Sequence, residues 1–507
     1  MTNYLPSLLF EFNEIIDLDT EIMEFFHKSR EMLEKFPEIR HSIDSDLTTH
    51  GLKKKQLRKE IKRYDDKLKN GEDFLFDFPE QSTYEPLFLE LGRPRLKTEL
   101  IFFFLIVRGL WGSISDYAAS ERIKDSISIQ NVLVHYSYNV PGINTIRENL
   151  NAITNRTREL ILKCQALLIL DKGLDDFSTI YIDSTHVEGN TSYPTDVSIL
   201  YKLLDRVYRS FVLLKDFDFP VLESSWIKTR QNRMKRHLSF ISMNVGKKGV
   251  HGKVKEKFKL MMKMADKNIK YFLELQEEYR ALWESSDLSP DKGLALDKLW
   301  FKIDDDIHDV QYVLYYAELL VHKNIKLPSR DKILSISDRD AAYIAKGQRN
   351  PVIGYKPQIA RSGNGFICGY LTPSGNAADS EMLIPVINNV ISITGIIPLT
   401  VSTDDCYGSQ ENVNSLKNEY NIFTVSINGA KGKKLTTEDW DTTNYRNARN
   451  DRSAVESSMF TLKFRHSFGK LRRRGLEAVH AEQTEKVIAY NFIHMIRKEK
   501  EVLKKAS

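Results

Sequence analysis

A short strand pattern, Thr179–Asp183 (Thr-Ile-Tyr-Ile-Asp), is followed by no neighbour it could pair with. Its β-branched and aromatic residues read as a buried strand that ends in a carboxylate. From Thr195 to about Lys326 the apolar spacing is helical, and strand patterns return only at Val352–Ala360, Gly365–Thr372, Ile397–Thr403 and Ile422–Ile427. A strand needs a hydrogen-bonded neighbour, so any sheet containing Thr179–Asp183 must recruit partners from beyond the helical tract. This constrains the chain more than its composition does.

The later segments alternate. Arg361-Ser362-Gly363-Asn364 separates two of the strands as a hairpin-like turn, and Ala378–Ile393, Ser409–Asn418 and Arg452–Phe468 carry helical spacing. The resulting order is strand, long helical insert, hairpin, helix, strand, helix, strand, helix, which predicts a mixed α/β fold. Upstream, 1–75 reads as a helical, charged region and 76–94 as a linker. Residues 95–172 read as a helical bundle with a helix-turn-helix-like order, in which Asn144 or Thr145 serves as an N-cap after Pro141-Gly142. Residues 200–329 form the basic helical insertion, and 498–507 a charged tail.

The net charge of +5 over 507 residues conceals a segregated distribution. Trp226–Lys270 carries +12, Tyr445–Ser507 +8 and Leu52–Lys69 +6, which leaves −21 for the rest. Clustered positive charge of this kind suits a polyanionic partner. Met1–Phe10 lacks a basic segment followed by a long apolar run, so no signal peptide is expected, and Leu100–Val107 is far too short to span a bilayer. Cys164, Cys368 and Cys406 show neither zinc-ligand nor redox spacing, which fits a reducing cytoplasm.

Three acids stand where a site would use them. Asp183 and Asp404 each end a strand that otherwise reads as buried, and Glu456 lies within a helical segment. Neighbouring strands of one sheet would bring the first two together, and a helix packed on that sheet would add the third. Clustered carboxylates repel one another unless a cation neutralises them, and hard oxygen ligands suit Mg²⁺ or Mn²⁺. Two such ions clamp the attacking and leaving oxygens of a phosphoryl displacement. With 69 acids in the chain, spacing alone does not single these out; their neighbours must.

Those neighbours resemble the insertion-sequence DDE transposases of the YREK-signature group. Arg452, Glu456 and Lys463 match Y-(2)-R-(3)-E-(6)-K in type and spacing, while Arg449 replaces the tyrosine. At 100° per residue, Glu456 and Lys463 lie about 40° and about 20° round a helix from Arg452, so all three share a face. Asp183-Ser184-Thr185-His186 resembles the segment around the family's first catalytic Asp, and Thr403-Asp404-Asp405-Cys406-Tyr407 resembles its A-D-x-G-Y motif. That alignment selects Asp404 over Asp405, with Cys406 in place of the usual glycine. Ser374-Gly375-Asn376 with Asp379 resembles the SGN-x-x-D segment, and Arg472-Arg473-Arg474 the basic stretch after the Glu helix.

The resemblance implies an RNase H-like catalytic domain built from 173–199 and 330–497, with the helical insertion between them. It implies a cut-and-join DNA transposase whose catalytic, metal-binding residues are Asp183, Asp404 and Glu456. Two divalent ions are expected, bridged by Asp183. Arg449, Arg452, Lys463, Arg472, Arg473 and Arg474 are expected to contact DNA. The partners implied are transposon ends and target DNA, with at least a homodimer in the DNA complex, in the cytoplasm at the nucleoid. The alternatives are a nuclease of the same fold that joins nothing, and an inactive transposase-derived DNA-binding protein. His186, His237, Trp226, Trp300, Asp338 and Asp340 are left without a role.

Overall fold

The computed structural model describes residues 22–52, 96–112, 115–191, 195–222, 225–284, 290–345 and 351–506. The predicted basic stretch 53–69 and the linker 76–94 lie outside them. The described residues fall into two compact units, one comprising 22–52, 96–190 and 344–506 and the other 191–343.

The first unit opens with α1 (22–35) and α2 (37–52), followed by α3 (Thr98–Trp111), α4 (Asp116–Asp125), α5 (Ile127–His135), α6 (Ile143–Ala152) and α7 (Asn155–Asp171). Every residue from Leu100 to Gly109 of α3 is buried, as its nearly uniform apolarity requires. α6 starts earlier than the sequence suggests. Gly142, in an extended conformation, already accepts from Ile146 at 3.0 Å, so Asn144 and Thr145 fall inside the first turn rather than capping it.

The strands are β1 (Thr179–Ser184), β2 (Val187–Glu188), β3 (Ala342–Ile344), β4 (Val352–Tyr355), β5 (Gln358–Ser362), β6 (Ile367–Leu371), β7 (Thr400–Thr403) and β8 (Thr424–Ile427). Five of them form one sheet in the order β6-β5-β1-β7-β8. β6 and β5, and β5 and β1, are antiparallel; β1, β7 and β8 run parallel. The predicted strand Val352–Ala360 is two strands, because Pro357 lacks an amide donor and interrupts the ladder.

The second unit contains, over 191–322, α8 (Asp196–Leu213), α9 (Ser225–Asn244), α10 (His251–Glu284) and α11 (Pro290–His322). Leu200, Leu203, Val207 and Phe211 of α8 pack with Met261 and Phe272 of α10 and with Ile303, Val310 and Val313 of α11. Trp300 is buried against Phe211 and Phe219, and Trp226 lies edge-on to Tyr271 under the guanidinium of Arg230. Trp300 is therefore a packing anchor, whereas Trp226 remains exposed. The basic stretch Trp226–Lys270 lies largely on α9 and α10.

The first unit continues with α12 (Asp379–Thr394), α13 (Gln410–Asn414), α14 (Ala430–Leu435), α15 (Thr443–Asp451), α16 (Ala454–Arg465) and α17 (Leu476–Ala506). The helix expected over Arg452–Phe468 is α16, which starts two residues later and leaves Arg452 and Ser453 in the turn that follows α15. The amides of Val455 and Glu456 bond to the carbonyls of Arg452 and Ser453, three residues back, so this turn separates α16 from α15 and puts Arg452 outside the helix that carries Glu456 and Lys463. α16 ends where Ser467 takes a left-handed conformation and the Phe468 amide bonds back to Leu462. The residues read as a charged tail continue α17 without a break to Ala506.

α3 crosses α17 at close range. A Cβ on Gly109 would stand 2.2 Å from the Glu485 carbonyl oxygen, so only glycine permits this approach. Beside the crossing, Glu485 takes two bonds from Arg108, at 2.8 and 2.6 Å, and one from Arg158 at 2.8 Å. Burial alone would raise its pKa, but Arg108, Arg473 and Arg158 outweigh burial and hold it at about 2.

Candidate active site

Strand alternation places Tyr181 and Asp183 on one face of β1. Parallel pairing sets Thr179 opposite Thr400 and Tyr181 opposite Ser402. β7 ends at Thr403, so Asp404 follows at the carboxyl end of the strand adjacent to β1, in the turn after it. α16 packs on β1 and β5 through the buried Val455, Ser458, Met459 and Leu462. This packing presents Glu456 to the same strand end.

Arg452 joins two of the acids. Its Nη1 lies 3.4 Å from Asp183 Oδ2 and its Nη2 donates to Glu456 Oε1 at 2.6 Å. Asp183 is buried and Glu456 exposed, so the guanidinium links the floor of the site to its rim. Asp183, Glu456 and Lys463 line one cavity of ≈ 880 Å³, together with His186. Phe460 and Phe464 stand at its exposed edge, 62% and 73% accessible, with ring centroids 4.3 Å apart.

Asp404 and Asp405 have separate roles. Asp405 Oδ1 accepts from the Gly432 amide at 2.8 Å and Oδ2 from the Lys431 amide at 3.2 Å, so Asp405 caps the first turn of α14. Asp404 accepts from the Cys406 amide at 3.0 Å, within its own turn.

Beneath the acids lies a buried polar chain whose connectivity the sequence does not reveal. The Tyr407 hydroxyl donates to Gln358 Oε1, Gln358 Nε2 donates to Asp379 at 3.0 Å, and Asp379 pairs with Lys356 at 2.9 Å. Burial pushes the Tyr407 phenol well up, and nearby Asp379, Asp183 and Asp404 push the same way, so it remains a hydrogen-bond donor. Tyr407 and Asp379 fall within motifs already noted. Lys356 and Gln358 flank Pro357, and only the fold brings them here.

The expected DNA-contacting residues divide. Lys463 lines the cavity, and Arg472 and Arg474 are exposed, with Arg474 donating to the Asn190 carbonyl at 2.9 Å. Arg473 turns inward, 3.0 Å from Asp116 and 3.6 Å from Glu485, while Glu482 holds the amides of Arg472 and Arg473 at 3.0 and 2.9 Å. The Arg449 guanidinium lies over the Trp440 ring, 4.3 Å from its centroid, and Arg449 does not line the cavity. Spacing could not reveal either placement, since both depend on partners distant in sequence or on another element.

The donor set of Asp183, Asp404 and Glu456 is all carboxylate oxygen, and two of its members already share a cationic side chain. That chemistry fits a hard divalent cation. Among the described residues, no three His, Cys, Asp or Glu side chains form a ready-made ligand cluster. Among them, too, no single helix is long and apolar enough to cross a membrane.

A mixed sheet with acids at the ends of adjacent parallel strands, and a third on a helix packed against it, defines a class of α/β proteins built to act at a strand-end cleft. Residues 322–492 match the family model described as Transposase DDE domain, which supports the resemblance to insertion-sequence DDE transposases. No curated protein and no solved structure matches the chain.

Proposed function

We propose that the protein is a DNA transposase that cleaves at transposon ends and joins the freed strand to target DNA, using Asp183, Asp404 and Glu456. One observation carries this reading: Arg452 gathers Asp183, 269 residues away in sequence, and Glu456 into one cavity beside the strand end that bears Asp404. The strand order β6-β5-β1-β7-β8, antiparallel on one side of β1 and parallel on the other, supports an RNase H-like catalytic domain, with 191–343 inserted between β2 and β4.

In this reading the three carboxylates hold two Mg²⁺ or Mn²⁺ ions, which supply Lewis-acid stabilisation of the charge on the reacting phosphate oxygens. The remaining work falls to the chain. Lys463, Arg472 and Arg474 hold backbone phosphates, and Arg452 positions the two carboxylates it touches. Phe460 and Phe464 offer apolar faces to unstacked bases at the cavity edge. In cleavage, water attacks phosphorus at the element end, a P–O bond breaks and a 3′-hydroxyl leaves. In joining, that hydroxyl attacks a target phosphodiester and releases the target's own 3′-hydroxyl. Pairing two element ends calls for at least a dimer on DNA, acting in the cytoplasm at the nucleoid.

The decisive variant is Asp183→Asn, assayed on DNA carrying the element's ends. Cleavage in Mg²⁺ should disappear while DNA binding persists, and full cleavage would refute the assignment. Strand-transfer products from paired ends separate a transposase from a nuclease that only hydrolyses.

A further inference from the structure

α16 has a second functional side. Where Glu456, Phe460 and Lys463 face the large cavity, the hydroxyl residues Ser457, Ser458 and Thr461 line a separate cavity of ≈ 200 Å³. Arg465 at the end of α16, Arg361 of β5 and Arg497 of α17 complete a basic wall. Among the described residues lining it, none carries a carboxylate.

Arg361 is held in place by neutral acceptors. Its Nε donates to Ser458 at 3.0 Å, and its Nη1 donates to the carbonyls of Ser362 and Gly363 at 2.9 and 3.4 Å. Its charge is thus oriented without being neutralised. Arg497 is exposed on α17, one turn beyond His494, another residue of the lining.

An independent observation points into the same cavity. His466 is 1% exposed, lines the cavity, and neither of its ring nitrogens has a hydrogen-bond partner. Burial, then Arg465, Arg497 and Lys486, lowers its pKa to about 3, so the ring is neutral and carries one N–H. A buried donor of this kind requires an acceptor. An oxyanion among the three arginines would satisfy it.

We propose that this cavity is a second phosphodiester site, which grips the DNA backbone a few nucleotides from the reacting bond. The inference rests on the transposase reading. α16 carries both cavities, and a helix with its side chains is about 10 Å across. Phosphates of one strand are spaced about 3.4 Å along a duplex axis, so a separation of one helix width corresponds to a few nucleotides. One strand can therefore occupy both cavities, which favours a backbone phosphate over a free anion.

The test measures the affinity of the full-length protein for a labelled random-sequence duplex, in EDTA and across a range of salt concentrations. Wild type is compared with Arg497→Gln, with the double variant Arg465→Gln/Arg497→Gln, and with Lys163→Gln on the exposed side of α7 as a charge control. Loss of one phosphate contact lowers the log–log salt slope by about 0.9, or weakens binding about eightfold at 0.1 M salt. The double variant should show that loss, Arg497→Gln should change in the same direction, and Lys163→Gln should match wild type. Arg497 is exposed, so the single variant keeps the test valid if the double variant melts early. A wild-type slope in both variants, with wild type binding DNA normally, overturns this proposal and leaves the transposase reading intact. Absence of salt-dependent DNA binding by wild type overturns both. If inorganic phosphate raises the melting temperature of wild type but not of the double variant, with DNA slopes unchanged, the site takes free phosphate and the backbone assignment is wrong.

Discussion

Asp183 and Glu456 share one guanidinium: Arg452 lies 3.4 Å from the first and donates to the second at 2.6 Å. A planar fork can reach two carboxylates in different directions, whereas a lysine ammonium is a single point of charge. Arg452→Lys therefore keeps the charge and loses the span. We expect cleavage to fall on the order of 100-fold, as for misplaced catalytic groups, with DNA affinity nearly unchanged. Single-turnover cleavage beside equilibrium binding checks this, and a wild-type rate would show that the fork does not position the acids.

Asp404 and Asp405 should separate cleanly. Asp405→Ala removes the cap on α14 and should cost about 1 kcal/mol of stability, while cleavage persists. Asp404→Asn should abolish cleavage and leave the melting temperature close to wild type. Denaturant titration and a cleavage assay on both variants decide the matter; the reverse pattern would move the catalytic role to Asp405.

Glu485 should govern acid stability. It is buried among Arg108, Arg158 and Arg473, and its pKa of about 2 lies below the ordinary 4.5. A lowered carboxylate pKa contributes stability that is complete above about pH 4.5 and lost as pH falls toward 2. Glu485→Gln should cost about 3–5 kcal/mol near neutrality, because it leaves buried arginines unpaired. Its unfolding free energy should also change less than that of wild type between pH 4.5 and 2. Denaturant melts across that range test both parts, and parallel acid limbs would refute the second.

Gly109 should tolerate no side chain. With the Glu485 carbonyl oxygen 2.2 Å from an ideal Cβ, Gly109→Ala must push α3 away from α17. Overpacking of this kind costs about 1–3 kcal/mol, and it offsets alanine's usual advantage in a helix. A melting temperature equal to or above wild type would mean the two helices separate freely.

Much of the candidate site could be read from local pattern. Thr179–Asp183 is apolar at Ile180 and Ile182, so a strand ending in an exposed-type residue stood out, and Arg452, Glu456 and Lys463 carried a recognisable spacing. The start of α16 after Arg452 was hidden because its cause is three-residue turns at Arg452 and Ser453, which helical periodicity does not register. The inward turn of Arg473 was hidden because Glu485 and Asp116, its partners, lie on other elements.

By itself the sequence determined where the main strands and helices of the candidate site fall, and which short motifs carry acids and cations, because periodicity and spacing are local properties. Only the tertiary structure decided which charges face the cavity. Lys463 lines it, Arg452 is held between Asp183 and Glu456, Arg473 is spent on Glu485, and Arg449 lies on Trp440. An arginine takes whichever anion or ring the fold brings near, and the sheet order that sets those neighbours joins β1 to β7 across the whole helical unit.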